Sequence, residues 1–342
     1  MRRGWTVLTG AVLLLALATG LTSMPVPYVA LGPGPTVNTL GESGGKPIIS
    51  VQGRATSTSR GHLNLTTVSV SNGLDLGMAV HLWLDGDVAV VPREFVYPPD
   101  KTPQQTDKQN DEEFRQSQTS AETAALRELG YPVQVTVTAV PHGSPSVDRL
   151  RTGDVLTSVD GVPVTSRAKL LTLVRTRSPG DTLAVGYRRG GTSGTVRIVA
   201  GKAVDDPSRA ALGVSVGQQQ PHPFGISIAL DKIGGPSAGL MFALGIVDKL
   251  EPADLTGGMF VAGTGTIDDD GAVGPIGGIQ QKLIAARRAG ATVFLTPAAN
   301  CDEAAAATPA GLRLVKVATL DQALTSLGQL RDHTGSPAGC GS

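Results

Sequence analysis

The sequence predicts an α+β multidomain chain headed by one transmembrane helix. An unbroken apolar run opens it, alternating β segments fill the middle, and helices alternate with strands in the last third. Its 342 residues leave room for two or three domains, each able to bury a core. The 44 Gly and 23 Pro suit short strands and turns better than a helical bundle.

Charge and metal-ligating residues narrow the function. Lys+Arg and Asp+Glu each number 29, and no basic stripe with interleaved aromatics occurs, which argues against a nucleic-acid partner. His62, His81, His142, His222 and His333 are scattered, with no HExxH, and neither cysteine has a second at ligand spacing. No metal or cofactor is expected.

After Arg2-Arg3 no charged residue occurs before Glu42, and WTVLTGAVLLLALATGLTSM forms the core of that span. About 20 apolar residues at 1.5 Å of rise each match a hydrocarbon core of roughly 30 Å. Ala16-Leu17-Ala18 lies inside the run, not after it, which favours a retained anchor over a cleaved signal. Positive charge before the run keeps the N-terminus in the cytoplasm and places everything beyond about residue 32 outside. Residues 1–31 are thus read as a cytoplasmic stub and membrane anchor. Outside, Cys301 and Cys340 meet oxidising conditions. They are either bridged, pinning the tail at 334–342, or two unrelated thiols.

Residues 32–123 form a β-rich extracytoplasmic region, with short strands such as LNLTTVSV and HLWLDGDVAVV. Residues 100–120 are polar and charged and read as a surface loop or helix start. ETAALRELG reads as a short helix capped by Gly130. No chemistry is assigned to 33–123.

Residues 124–203 read as strand (VQVTVTAV), helix (SRAKLLTLVRT) and two strands joined by a Gly-rich turn. Gly153-Asp154-Val155-Leu156 and the segment Val159 to Val164 resemble the bacterial PDZ domain. PDZ domains add an extended peptide to a sheet edge and capture its carboxylate in a glycine-containing loop. Leu129-Gly130-Tyr131 is the candidate loop, although Gly130 is explained equally well as a helix cap. Ser166-Arg167-Ala168-Lys169 fits an SxxK motif, but no SDN or KTG accompanies it, and Ser166 reads as a helix N-cap.

Residues 204–333 carry the chemistry. IGGPSAGL leads into a helix through about Leu250, with Gly235 as cap and Pro236 at the first helical position. Ser237 is then expected in the first turn, where free N–H groups and the helix dipole favour an oxyanion. The alternative is that Ser237 merely caps. A second helix, Gly278 to Ala289, sets Lys282 on a face with Gly278, Ile279, Ala285, Ala286 and Ala289. Gln280, Arg287 and Arg288 lie opposite, and so does Ile284, which makes the pattern imperfect. A lysine turned into an apolar face loses its charge more easily and can accept a serine proton.

GPSAG, followed 45 positions after Ser237 by the lysine of PIGGIQQKLIAA, resembles the proteolytic domain of Lon proteases. The resemblance implies Ser237 as nucleophile, Lys282 as general base and Thr264 as a hydrogen-bonding neighbour of the lysine, with Gly235 and Ala238 in support. Gly235 stands where many members have an acidic residue, and Thr266 where they have a glutamate. Anchor, PDZ domain and this domain together resemble the YlbL-type Lon-like proteases. The resemblance implies a serine endopeptidase acting on unfolded polypeptides, in a homo-oligomer.

No GxxxxGK[ST] occurs, so ATP is not expected to bind. Gly235-x-Ser237-x-Gly239 also fits a nucleophile elbow with His333 downstream, but no HGG-type motif accompanies it. An inactive PDZ scaffold is the other alternative. Asp268-Asp269-Asp270-Gly271 lacks the spacing of a calcium loop and reads as a polar turn.

Overall fold

The computed structural model describes residues 2–230 and 233–341 and divides the chain into two compact units. One unit joins residues 1–122 to 226–342; the other spans 123–225. This differs from the sequence-based boundaries. Residues 32–122 are no separate region but part of the unit that carries Ser237 and Lys282, and 204–225 belong with the inserted unit.

Helix α1, Arg2–Thr22, covers the apolar run. The side chains of Arg2, Arg3, Gly4, Thr6, Val7 and Ala18 lie outside the described residues, so the charge rule for orientation is not addressed there. Among the described residues no helix is long and apolar enough to cross a membrane, so the spanning segment gains no support from the structure. The long strands β1, Tyr28–Asn38, and β2, His62–Ser71, follow as an antiparallel pair. Helix α2, Leu76–Trp83, is capped by Asp75, and strand β3, Ala89–Pro92, pairs with β1.

The segment read as a surface loop or helix start and the short helix ETAALRELG after it form one continuous helix, α3, Pro103–Glu128. Its start is a capping box: Gln105 N–H donates to Thr102 Oγ1 (3.2 Å) and Thr102 N–H to Gln105 Oε1 (2.8 Å), with Pro103 in the first turn. Its end is a left-handed Gly130 (φ +82°), with Tyr131 N–H reaching the Leu126 carbonyl at 2.8 Å. The glycine-containing loop Leu129-Gly130-Tyr131 is thus occupied as a helix cap.

The inserted unit is an antiparallel sheet. Its strands are β4 (Gln134–Ala139), β5 (Val155–Val159), β6 (Thr182–Arg189), β7 (Thr192–Val199) and β8 (Ser215–Gln219). The order is β7-β6-β5-β4-β8, which leaves β8 at an edge. Helix α4, Arg167–Arg175, is capped by Ser166, whose hydroxyl accepts from Lys169 N–H at 3.0 Å. Leu170 and Val174 seat α4 on a core containing Val135, Leu156, Leu183 and Ile198. Buried Asp154 is held by Arg189 at 2.6 Å, which keeps its carboxyl below the usual range.

The chain then returns to the first unit with α5 (Gly239–Leu250), β9 (Phe260–Gly263), the hairpin β10 (Thr266–Ile267) and β11 (Val273–Gly274), and α6 (Ile279–Ala289). β12 (Val293–Pro297), α7 (Cys301–Ala306), β13 (Arg313–Val317) and α8 (Leu320–Arg331) complete it. The sheet order is β13-β12-β9-β2-β1-β3, parallel from β13 to β2 and antiparallel beyond. Helices cover both faces. Register partners Ala262 and Phe294 pack with Ile279, Leu283 and Ala286 of α6. Gly263 faces α5, where an added Cβ would lie 2.7 Å from Met241 Sδ. Cys301 and Cys340 form a disulfide that ties the tail to α7.

Candidate active site

Ser237 is half-buried and lies in the turn just before α5, not in its first turn. Ala238 is the N-cap and makes no side-chain capping bond, so Ser237 is not serving as the cap. Gly235 takes a left-handed conformation (φ +84°), which brings Pro236 and Ser237 round into the helix. Two bonds fix the Ser237 carbonyl: Gly265 N–H donates to it at 2.9 Å and the Thr264 hydroxyl at 3.0 Å. Leu240 N–H donates back to the Gly265 carbonyl at 3.1 Å. The β9–β10 junction is therefore laced to the start of α5.

Lys282 enters from the second turn of α6, whose N-cap Gly278 has φ +67°. An added Cβ on Gly278 would lie 2.8 Å from Val68 Cγ2 of β2, so this helix start has no room for a side chain. Lys282 is 3% exposed, and Nζ donates to Thr264 Oγ1 at 3.0 Å. Burial pushes its ammonium down from 10.5 to about 7. The expected helix face is largely as read: Ile279, Ala285 and Ala286 are buried, and Gln280, Arg287 and Arg288 exposed. Ala289 is exposed, and Gln281 and Leu283 are buried beside the lysine.

Ser237 and Lys282 line one cavity of 460 Å³, together with Ile233, Gly234, Pro236, Ala238 and Gly277. Its remaining wall is Pro35 of β1 and Leu65 to Ser69 of β2, from a region given no chemistry by sequence. β2 pairs with β9 only from His62 to Leu65. Among the described residues no strand pairs with Thr67 to Ser71 on that side, which leaves an open edge along the cavity. Thr266 lines an adjoining 350 Å³ cavity that also borders Ser237.

The inserted unit has its own groove of 360 Å³ between α4 and edge strand β8. Leu171 and Arg175 line one wall, and Leu212, Gly213 and Val214 the approach to β8. Sequence reading missed this glycine. The signal was an apolar-Gly-apolar triplet just before an alternating strand, and Gly213 is left-handed (φ +70°). His333 lines neither cavity beside Ser237. Asp268 closes a turn by accepting from the N–H groups of Asp270 (3.0 Å) and Ala272 (2.8 Å).

The site thus joins a mixed sheet with helices on both faces to a cavity lined by a buried lysine and a serine at a helix entry. Residues 228–327 match the model of the Lon protease (S16) C-terminal proteolytic domain, and residues 105–199 that of the PDZ domain. The chain therefore carries a Lon-type proteolytic domain together with a PDZ domain.

Curated relatives agree. Lon protease 1 of Sorangium cellulosum is 34% identical over 149 residues, covering 41% of this chain and 18% of that protein. Lon protease of Heliobacterium modesticaldum is 39% identical over 93 residues, 26% of this chain and 11% of that protein. The chain thus spans less than a fifth of the relatives it matches. Solved PDZ domains of SdrC-like proteins from Listeria monocytogenes and Listeria innocua are 23% and 24% identical. Each covers 24% of this chain with a TM-score of 0.23, and the alignments take in 85% and 92% of those chains.

Proposed function

We propose that the protein is a serine endopeptidase in which Ser237 Oγ attacks the peptide carbonyl and Lys282 Nζ takes its proton. One observation carries the reading: a lysine 3% exposed, lowered to about 7, lines the same cavity as Ser237. A water-exposed lysine near 10.4 would be charged at neutral pH and could accept nothing. A neutral amine removes the serine proton as the tetrahedral intermediate forms and then delivers it to the leaving nitrogen. Backbone N–H groups in the turn that leads into α5, that of Ser237 among them, are the proposed donors to the new oxyanion.

The open edge of β2 suits an extended peptide, which would add to Thr67 to Ser69 as a further strand and pass Ser237. The substrate must therefore be unfolded or loosely structured. The groove between α4 and β8 offers the inserted unit a second such edge, supporting a role in selecting substrate. No GxxxxGK[ST] occurs in these 342 residues, so the activity is proposed to be independent of ATP.

We place the catalytic unit outside the cytoplasm. The Cys301–Cys340 bridge supports this, since disulfides persist in oxidising compartments. Attachment to the membrane by an N-terminal segment is proposed on the apolar sequence WTVLTGAVLLLALATGLTSM alone. Purified protein should degrade casein slowly without nucleotide, and Ser237→Ala should abolish this. A strict requirement for ATP, or full activity in the Ser237→Ala variant, would refute the reading.

A further inference from the structure

Helix α3 carries no chemistry recognisable in sequence, yet it makes direct bonds to the serine loop. Its inward stripe is Thr106, Asn110, Phe114, Ser117 and Ala121, at spacings of one helical face. The Asn110 carbonyl accepts from Gly235 N–H at 2.9 Å. The Ser117 hydroxyl donates to the Pro236 carbonyl at 2.9 Å. Phe114 meets Phe242 of α5 edge to face, with ring centroids 5.8 Å apart. One turn further, Ser120 donates to Asp269 Oδ1 at 2.9 Å, in the turn between β10 and β11. The fit is close: a Cβ on Gly234 would lie 3.0 Å from Asn110 Cβ, and one on Gly239 2.8 Å from Ser117 Oγ.

These bonds orient peptide planes. In a trans peptide the carbonyl and the following N–H point in opposite directions. With the Pro236 carbonyl held on α3, the Ser237 N–H is turned away from α3. Flipping that plane would leave the Ser117 hydroxyl, only 4% exposed, without its acceptor, at a cost of ~1–3 kcal/mol. Acyl transfer needs donors held in place before charge develops, because a donor that must reorient stabilises the transition state less.

We propose that Ser117 is a positioning residue for acyl transfer: by holding the Pro236 carbonyl it aims the Ser237 N–H at the developing oxyanion. The inference rests on the reading of Ser237 as nucleophile. Ser117 touches no substrate and acts through the loop.

The test compares full-length wild type, Ser117→Ala and Ser117→Cys on a fluorogenic peptide and on a peptidyl boronate, which forms a tetrahedral adduct with a serine nucleophile. Ser117→Ala should lower kcat by about 10–100-fold with KM changed less than about twofold. Boronate affinity should weaken by the same factor as kcat, because the adduct mimics the transition state. The melting temperature should shift by only a few degrees. Ser117→Cys keeps the volume with a much weaker donor and should behave alike, which decides the matter if the alanine variant folds poorly. Unchanged kcat and boronate affinity in a folded variant, or a raised KM with normal kcat, would overturn the inference alone. A wild type that neither cleaves the peptide nor takes the boronate at Ser237 would overturn the nucleophile assignment and this inference with it.

Discussion

The Thr264 hydroxyl bridges Lys282 and Ser237, accepting from Lys282 Nζ at 3.0 Å and donating to the Ser237 carbonyl at 3.0 Å. Its single hydrogen is committed to the carbonyl, so Nζ must be the donor in the other bond. A neutral amine that donates to Thr264 keeps its lone pair free for the serine proton. Thr264→Val removes both bonds at nearly constant volume and should lower kcat about 10–100-fold. Losing an acceptor disfavours the ammonium, so the acidic limb of kcat against pH should move down. Thr264→Ser should restore most of the rate, and steady-state kinetics across pH 5–10 check both effects.

Burying Lys282 costs stability, and the sign follows from linkage. The folded amine stays neutral down to about 7, whereas an unfolded lysine protonates below 10.5. The unfolded state binds more protons between these values, so stability falls as pH drops from about 10.5 to about 7. Lys282→Met should therefore stabilise the unit at pH 6, by an amount on the order of 3–5 kcal/mol, and gain nothing near pH 11. Denaturant titrations at the two pH values measure it; equal gains at both would contradict the burial of a neutral amine.

Gly278 starts α6 at φ +67° with Val68 in the way of any Cβ. Gly278→Ala should cost about 1–3 kcal/mol and also shift the helix that carries Lys282. Activity should fall further than the loss of folded protein explains, as thermal melts beside active-site titration would show.

The disulfide closes a separation of 39 residues between Cys301 and Cys340. Cys340→Ser should destabilise the first unit by about 2–4 kcal/mol and lower Tm by several degrees. Turnover per folded molecule should hardly change, since neither cysteine lines a cavity beside Ser237. Calorimetry and kinetics of the variant test the two halves separately.

What could be read in sequence was local. The surroundings of Lys282 were legible because Ile279, Ala285 and Ala286 recur on one turn-to-turn face; Ala289 falls outside it because the helix ends there at left-handed Gly290. The start of α5 was misplaced by three residues, since Gly235 and Pro236 suit a cap and first turn but form the bend before Ser237. Of helix α3 only the C-terminal part, ETAALRELG with its Gly130 cap, was read as helix; its full length escaped because the inward stripe before it is mostly polar, and Thr106, Asn110 and Ser117 give hydrophobic periodicity nothing to detect. At its start, the Thr102-Pro103-x-Gln105 box was there to be seen. The incorporation of β1 and β2 into the sheet that carries β9 was illegible for another reason. Parallel pairing of Leu63 with Val261 joins segments far apart in the chain, and no local pattern records that register.

The central claim is that neutral, buried Lys282 is the base for Ser237. Its most direct test is the pH dependence of kcat on a short peptide, for wild type and Lys282→Arg. An apparent ionisation near 7 should govern the wild-type rise, with activity increasing above it. Lys282→Arg should be folded and inactive at every pH, because guanidinium stays protonated and cannot accept. A wild-type rise near 10, or wild-type turnover in a folded Lys282→Arg variant, would contradict the account.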